Sequence, residues 1–174
     1  ALQHRGQESC GIVSLENKAH IHHKALGLVA DNFDEPQLDR LKGRVALGHV
    51  RYATTGDNLL TNAQPLTADI PIGPIAIAHN GNIVNTTPVK AELLKDGAIF
   101  QGTNDTEVLL HLIARNKKAQ IEDKLIEALG LLEGAYSLVV LTQDRMIAVR
   151  DPMGFRPLSI GEMTLPDGKK TYVV

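Results

Sequence analysis

Apolar positions along this chain fall into short runs whose spacing changes from one region to the next. Residues 11–15 and 19–22 are strand-like runs on either side of Glu16-Asn17-Lys18, a pattern that predicts a hairpin. Asp34-Glu35-Pro36 places an acid and a proline where a helix start favours them, so a short helix is predicted from there to about Gly43. Residues 45–52 read as a strand, 53–74 as mostly loop because Thr, Asn, Gly and Pro dominate, and 75–80 as the next strand. Three helices follow: one from Thr87-Pro88 to Gly97, one over 105–116 behind a cap at Asn104 or Thr103, and one over about 121–132. In the second, Val108, Leu109, Leu112 and Ile113 form one apolar stripe; in the third, Leu125, Ile126 and Leu129 are expected to face inward. Strands return at 135–141, 146–150 and 157–160, with a tight turn at Asp151-Pro152-Met153-Gly154. Pro166-Asp167-Gly168 then turns the chain into a last strand.

Strands, then adjacent helices, then strands is not the regular alternation of a doubly wound fold. It predicts antiparallel sheets with helices packed on their faces, an α+β architecture. The 174 residues fit one domain with a substantial core. The chain opens on Ala1 and its last four residues, Thr171-Tyr172-Val173-Val174, read as a strand in progress, so a fragment of a longer protein is expected. The long polar stretch before residue 75 reads as functional, because structureless connections of that length are uncommon in compact domains.

Composition removes several classes. Eighteen basic residues against twenty acidic ones leave a net charge of −2, with no nucleic-acid or membrane-surface footprint. No apolar run has the length to span a bilayer, and no leader-like segment opens the chain. Cys10 is the single cysteine, which excludes an internal disulfide and makes a cytoplasmic setting the default.

The chemistry concentrates at two strand ends. Gly48-His49-Val50-Arg51-Tyr52-Ala53-Thr54-Thr55-Gly56 and Ala78-His79-Asn80-Gly81-Asn82 each run from apolar residues into polar groups and a glycine. A strand end fixes the backbone while the loop supplies donors, so two such ends predict one site for a small polar ligand. Taken singly, Arg51 reads equally well as a surface ion-pair residue, Asp105 as a helix cap and Asn80-Gly81 as a hairpin turn. His20, His22 and His23 read as a solvated strand, since nothing nearby completes a metal ligand set, and no metal site is expected.

Several segments together carry a resemblance. Gln3-His4-Arg5-Gly6-Gln7-Glu8-Ser9, the two strand ends above, Asn62-Ala63-Gln64-Pro65, Asn104-Asp105-Thr106-Glu107, Gly134-Ala135-Tyr136-Ser137 and the run from Val149 through Asp151-Pro152-Met153-Gly154-Phe155-Arg156-Pro157 to Leu158 occur in order over nearly the whole chain. This pattern resembles the glutaminase domain of the glutamine phosphoribosylpyrophosphate amidotransferase family. The resemblance implies a four-layer α/β/β/α sandwich of the N-terminal-nucleophile hydrolase type, with two antiparallel sheets between helical layers. It implies hydrolysis of the glutamine side-chain amide, with the ammonia passed to a phosphoribosyltransferase domain that makes phosphoribosylamine at the start of purine synthesis. Asn80 and Gly81 match the family's oxyanion hole; Arg51 and Asp105 match the residues that grip the α-carboxylate and α-ammonium of glutamine; Tyr52 and Thr54 are expected to line the pocket. A zwitterionic head requires one fixed cation and one fixed anion, which gives the Arg51 and Asp105 pairing its physical sense.

The family's nucleophile is an N-terminal cysteine whose own α-amine acts as base, since that amine titrates near neutrality. It lies upstream of the segment that starts at Gln3. Cys10-Gly11-Ile12-Val13 looks like that signature but falls on a later strand, where a cysteine is most simply a small buried hydrophobe. His4, His49 and Arg5 are expected to support the site, and Arg150, Asp151 and Arg156 to form a structural or interdomain network. No phosphoribosyl-binding segment is present, so Mg2+ is expected only in the C-terminal phosphoribosyltransferase domain. No cofactor is expected in the glutaminase domain, and one cysteine leaves an iron–sulfur cluster undetermined. Expected partners are glutamine, the phosphoribosyltransferase domain and further copies of the chain, with no nucleic acid or membrane. A sister amidotransferase, such as a glucosamine-6-phosphate synthase or an asparagine synthetase, is the main competing reading. Tyr52, Thr55 and Gln64 stand against it, because the sisters tend to show Trp, His and His there. A glutamine-binding domain without catalysis is the reading if the N-terminal cysteine is absent.

Overall fold

The computed structural model describes residues 2–52 and 59–174. Strands β1 (Ser9–Glu16) and β2 (Ala19–Leu26) form the expected hairpin. Its two-residue turn puts both Asn17 and Lys18 at positive φ, the geometry whose twist matches that of paired strands. Helices α1 (Val29–Asn32) and α2 (Glu35–Arg40) follow, and the Asp34 side chain caps α2 by accepting the Gln37 N–H at 3.0 Å. Strand β3 (Val45–Arg51) pairs with β1, giving a three-stranded antiparallel sheet ordered β2-β1-β3.

A second antiparallel sheet is ordered β4-β5-β6-β7, from β4 (Leu66–Ile70), β5 (Gly73–Ile83), β6 (Gly134–Leu141) and β7 (Met146–Arg150). Between β5 and β6 lie α3 (Thr86–Lys95), α4 (Asp105–Arg115) and α5 (Ile121–Leu129). These helices cover one face of the second sheet through Ile75, Ile77, Leu109, Ile113, Leu125 and Leu138. Its other face packs on the first sheet through Val13, Leu47, Ala76, Ala78 and Leu141. Strands of alternating period 2 make this possible: odd positions of β5 point to the helices and even positions to the other sheet. The far side of the first sheet is closed by the segment bearing α1 and α2, where His23 bonds the Asn32 carbonyl at 2.9 Å and Ser14 donates to the Lys42 carbonyl at 3.0 Å. The result is an α+β sandwich of antiparallel sheets between helical segments. A separate hairpin, β8 (Gly161–Thr164) with β9 (Lys170–Val173), ends the chain.

Four local expectations are corrected. Residues 53–74 are not all loop, since β4 occupies the edge of the second sheet with a buried Leu66 and Ile70 around a polar Thr67 and Asp69. Residues 157–160 are not a strand: Pro157 brings no N–H to a ladder, and Asp151 holds the preceding Phe155 and Arg156 N–H groups. Ile126 is 69% exposed, because the inward stripe of α5 runs through Ile121, Leu125 and Ala128 and passes it by. The face shared by His20 and His22 is solvated only in part: His22 is exposed as expected, whereas His20 turns inward with its ring 3.4 Å from the Thr142 carbonyl, and the partial burial beside β4 lowers both imidazoles from their usual range.

Candidate active site

One cleft of about 500 Å³ gathers the C-terminal end of β3, the middle of β5 and the first residue of α4. Its walls include Arg51, Tyr52, Asn80, Gly81 and Asp105, which the sequence placed at three separate points of the chain. Thr54 lies outside the described residues. The same cleft is lined by Leu2, His4 and Arg5 before β1 and by Arg156 and Pro157 after β7. The segments that flank the two sheets therefore meet over it.

Arg51 ends β3 and is 4% exposed, with its guanidinium 3.8 Å from the Glu8 carboxylate. The Glu8 N–H in turn donates to the Arg51 carbonyl at 3.0 Å, so the segment before β1 braces this strand end. Arg51 is thus no surface ion-pair residue. Tyr52 lines the cleft with 66% of its surface open.

Asn80 and Gly81 do not form a hairpin turn. They sit inside the eleven-residue β5, opposite Ser137 and Tyr136 of β6. Gly81 holds φ at +155°, and a Cβ there would stand 2.1 Å from the Ala135 carbonyl oxygen, so only glycine fits. That glycine-only conformation lies at the cleft within a strand that stays paired with β6. Asn80, next to it, is exposed.

Asp105 is not the helix cap. That role belongs to Asn104, whose side chain accepts the Thr106 N–H at 2.9 Å. The buried Asp105 carboxylate instead takes the Ile83 N–H at 3.0 Å, lies 3.4 Å from His79 Nδ1 and receives the Thr106 hydroxyl at 3.3 Å. Burial alone would raise its pKa; the contacts with His79, Ile83 and Thr106 outweigh that and hold it below the ordinary carboxylate range. The position at the first turn of α4 favours the anion further. Asp105 therefore enters the cleft as a fixed negative charge.

His49 supports the site from β3 by bonding the His79 carbonyl at 3.1 Å. Because a carbonyl only accepts, the proton is on Nε2. Burial holds its pKa down to about 4, which keeps the ring neutral. Asp151 is structural: its carboxylate accepts the Phe155 and Arg156 N–H groups at 3.0 and 3.1 Å and fixes the turn after β7. Arg150 donates to the Gly154 carbonyl in the same turn at 3.0 Å, whereas Arg156 is carried to the cleft wall.

Cys10 is elsewhere. It is 1% exposed on the opposite face of the first sheet and does not line the cleft. Burial, with the Asp31 charge adding to it, pushes its thiol up, which disfavours the thiolate. Among the described residues, no group of three or more His, Cys, Asp and Glu side chains is placed to hold a metal ion. Sequence reasoning missed the residues that hold Asp105 and Asn80 in place, namely Gln64, His79 and Thr106. All three sat within the segments that carried the resemblance, but nothing local distinguished them.

Residues 49–172 match the glutamine amidotransferase domain family. An amidophosphoribosyltransferase of Rhizobium etli is 47% identical over 173 residues, covering 99% of this chain and 34% of that protein. The amidophosphoribosyltransferase of Bacillus subtilis is 46% identical over 164 residues, 94% of this chain and 34% of that protein. The chain thus spans about a third of the length of the curated relatives it matches. A solved glutamine phosphoribosylpyrophosphate amidotransferase from B. subtilis, complexed with ADP and GMP, superposes with a TM-score of 0.86 at 44% identity, over 95% of this chain and 35% of that one.

Proposed function

The chain belongs to the glutamine amidotransferase domain family, and from that premise we propose that it is the glutaminase domain of an amidophosphoribosyltransferase. It hydrolyses glutamine to glutamate and ammonia. The ammonia is consumed by a linked phosphoribosyltransferase domain, which converts phosphoribosylpyrophosphate to 5-phosphoribosylamine in the first step of de novo purine synthesis. Mg2+ belongs to that second domain. The observation that carries the reading is one cleft with a buried cation, Arg51, and a fixed anion, Asp105, beside Asn80 and the positive-φ Gly81.

Arg51 binds the α-carboxylate with two parallel donors, and Asp105 binds the α-ammonium. The side chain then extends toward Asn80 and Gly81. The nucleophile is an N-terminal cysteine that precedes Ala1 in the full-length protein, and its α-amine takes the thiol proton. The thiolate attacks the amide carbon, and the oxygen gathers negative charge as the carbon becomes tetrahedral. The Asn80 side-chain amide and the Gly81 N–H donate to that oxygen, held in place before the reaction starts. The carbon–nitrogen bond breaks, ammonia leaves with the transferred proton, and water releases glutamate from the thioester. The domain works in the cytoplasm in a self-associated enzyme.

Labelling of the full-length protein with a glutamine-like diazoketone, followed by peptide mass spectrometry, tests this. The adduct is expected on an N-terminal cysteine, with glutamine protecting it. An adduct on Cys10 would overturn the assignment of the cleft.

A further inference from the structure

Gln64 is 5% exposed and sits between the two halves of the site. Its Oε1 accepts the N–H of His79 at 2.6 Å, one residue before Asn80. Its Nε2 lies 3.5 Å from Thr106 Oγ1, one residue after Asp105. The Thr106 hydroxyl donates a hydrogen bond to Asp105 Oδ1 at 3.3 Å and lies 2.9 Å from His79 Nδ1, from which it accepts. One planar amide thus spans from the strand that presents Asn80 to the helix that presents Asp105.

The sheet register shows why a side chain fills this place. Strand β4 pairs with β5 through Leu66 opposite Ile77, and two further steps along the antiparallel register bring Gln64 opposite His79. The ladder stops at Leu66. The Gln64 main-chain carbonyl is turned aside, toward Gly11, where a Cβ would approach within 2.3 Å. The His79 N–H is left facing the gap, and the Gln64 side-chain oxygen takes it. An apolar residue of the same size would fill the space but leave that buried N–H without an acceptor.

We propose that Gln64 is a positioning residue that sets the oxyanion strand and the ammonium-binding aspartate in mutual register. The proposal rests on the glutaminase reading and adds to it the element that fixes how far apart the two ends of glutamine are held. Gln64→Met keeps the volume and removes both bonds. Gln64→Glu keeps the acceptor for His79 but puts a second carboxylate against Thr106, where it competes with Asp105 for the hydrogen bond of the Thr106 hydroxyl. The two variants therefore strike different ends of the tether.

The test is steady-state kinetics on the full-length protein, with glutamine and with ammonia as nitrogen donor. Gln64→Met is expected to lower glutamine-dependent kcat and raise KM, each roughly tenfold, the size of one misplaced hydrogen bond. Gln64→Glu is expected to raise KM for glutamine several-fold more than it lowers kcat, and Thr106→Val should share that bias. Ammonia-dependent synthesis should be unchanged in all three. The proposal is overturned if glutamine- and ammonia-dependent rates fall together, which marks a packing role, or if Gln64→Glu and Gln64→Met give the same ratio of KM to kcat effects. Asp105→Asn separates the two layers of argument. If it leaves KM for glutamine unchanged, the assignment of Asp105 fails, while a kcat loss in Gln64→Met still supports the tether at Asn80.

Discussion

Two strand segments of this protein pair a chemically suggestive side chain with a glycine: Cys10-Gly11 on β1 and Asn80-Gly81 on β5. Both lie in antiparallel sheets, and both glycines admit backbone from a neighbouring element. Cys10 is sealed under the segment bearing α1 and α2, with its thiol pushed toward the neutral form, while Asn80 opens onto a charged cleft. The difference lies in what each strand faces. Gly11 accepts the Gln64 carbonyl as packing, whereas Gly81 is held at φ +155° beside the ligand space. Reactive residue types become functional where a strand borders an open cleft, and inert where it is covered on both faces.

The largest effect should come from the β5 side. Asn80→Ala is expected to lower glutaminase kcat by about 10²–10³, equivalent to about 2.7–4 kcal/mol of lost oxyanion stabilisation, with KM nearly unchanged. Stopped assays of glutamate release in the full-length protein would measure it. A variant that keeps its rate would place the oxyanion hole elsewhere.

A second prediction concerns the bridge between the two segments. His49 lies opposite Gly11 in the β1–β3 register and bonds the His79 carbonyl before Asn80. Its pKa falls from 6.5 to about 4 on folding, so between those values the unfolded chain binds more protons than the folded one. The stabilisation is complete above pH 6.5 and is lost as pH falls toward 4, by at most about 3 kcal/mol. His20 and His22, also lowered, add to the same slope. Denaturant titrations at pH 7 and pH 4.5 should show a loss of stability that is smaller in His49→Gln. Equal slopes in the two proteins would show that His49 is not a source of the acid sensitivity.

The smallest effect belongs to Cys10. Cys10→Ala should cost about 1 kcal/mol, the scale of a small buried group, and leave glutamine-dependent kcat unchanged. A large fall in kcat at unchanged stability would erase the distinction between the two segments.

The residues that carry the site were legible in part because their chemistry is local. An arginine at a strand end, an acid at a helix start and an Asn-Gly pair announce donors and charge wherever the chain places them. The roles of Gln64, His79 and Thr106 were not legible, since each depends on which strand stops short and which helix lies above it. Local cues left Asn80-Gly81 open between a turn and a site, and the pair lies inside a strand because β6 supplies partners on one side that no local pattern records. Strand β4 was hidden for a related reason: an edge strand buries only alternate residues, so Thr67 and Asp69 diluted its apolar signal.

By itself, then, the sequence determined the α+β order of elements, the apolar stripe of α4, the helix start at Asp34 and the inventory of charges available for a small zwitterion. These follow from backbone propensity and side-chain type, which act over a few residues. Only the tertiary structure decided that Arg51, Asn80 and Asp105 share one cleft, that Asp105 stays ionised against its own burial, and that Cys10 is out of reach. Those outcomes depend on burial and on partners distant in sequence, and both arise only when the two sheets and α4 close on one another.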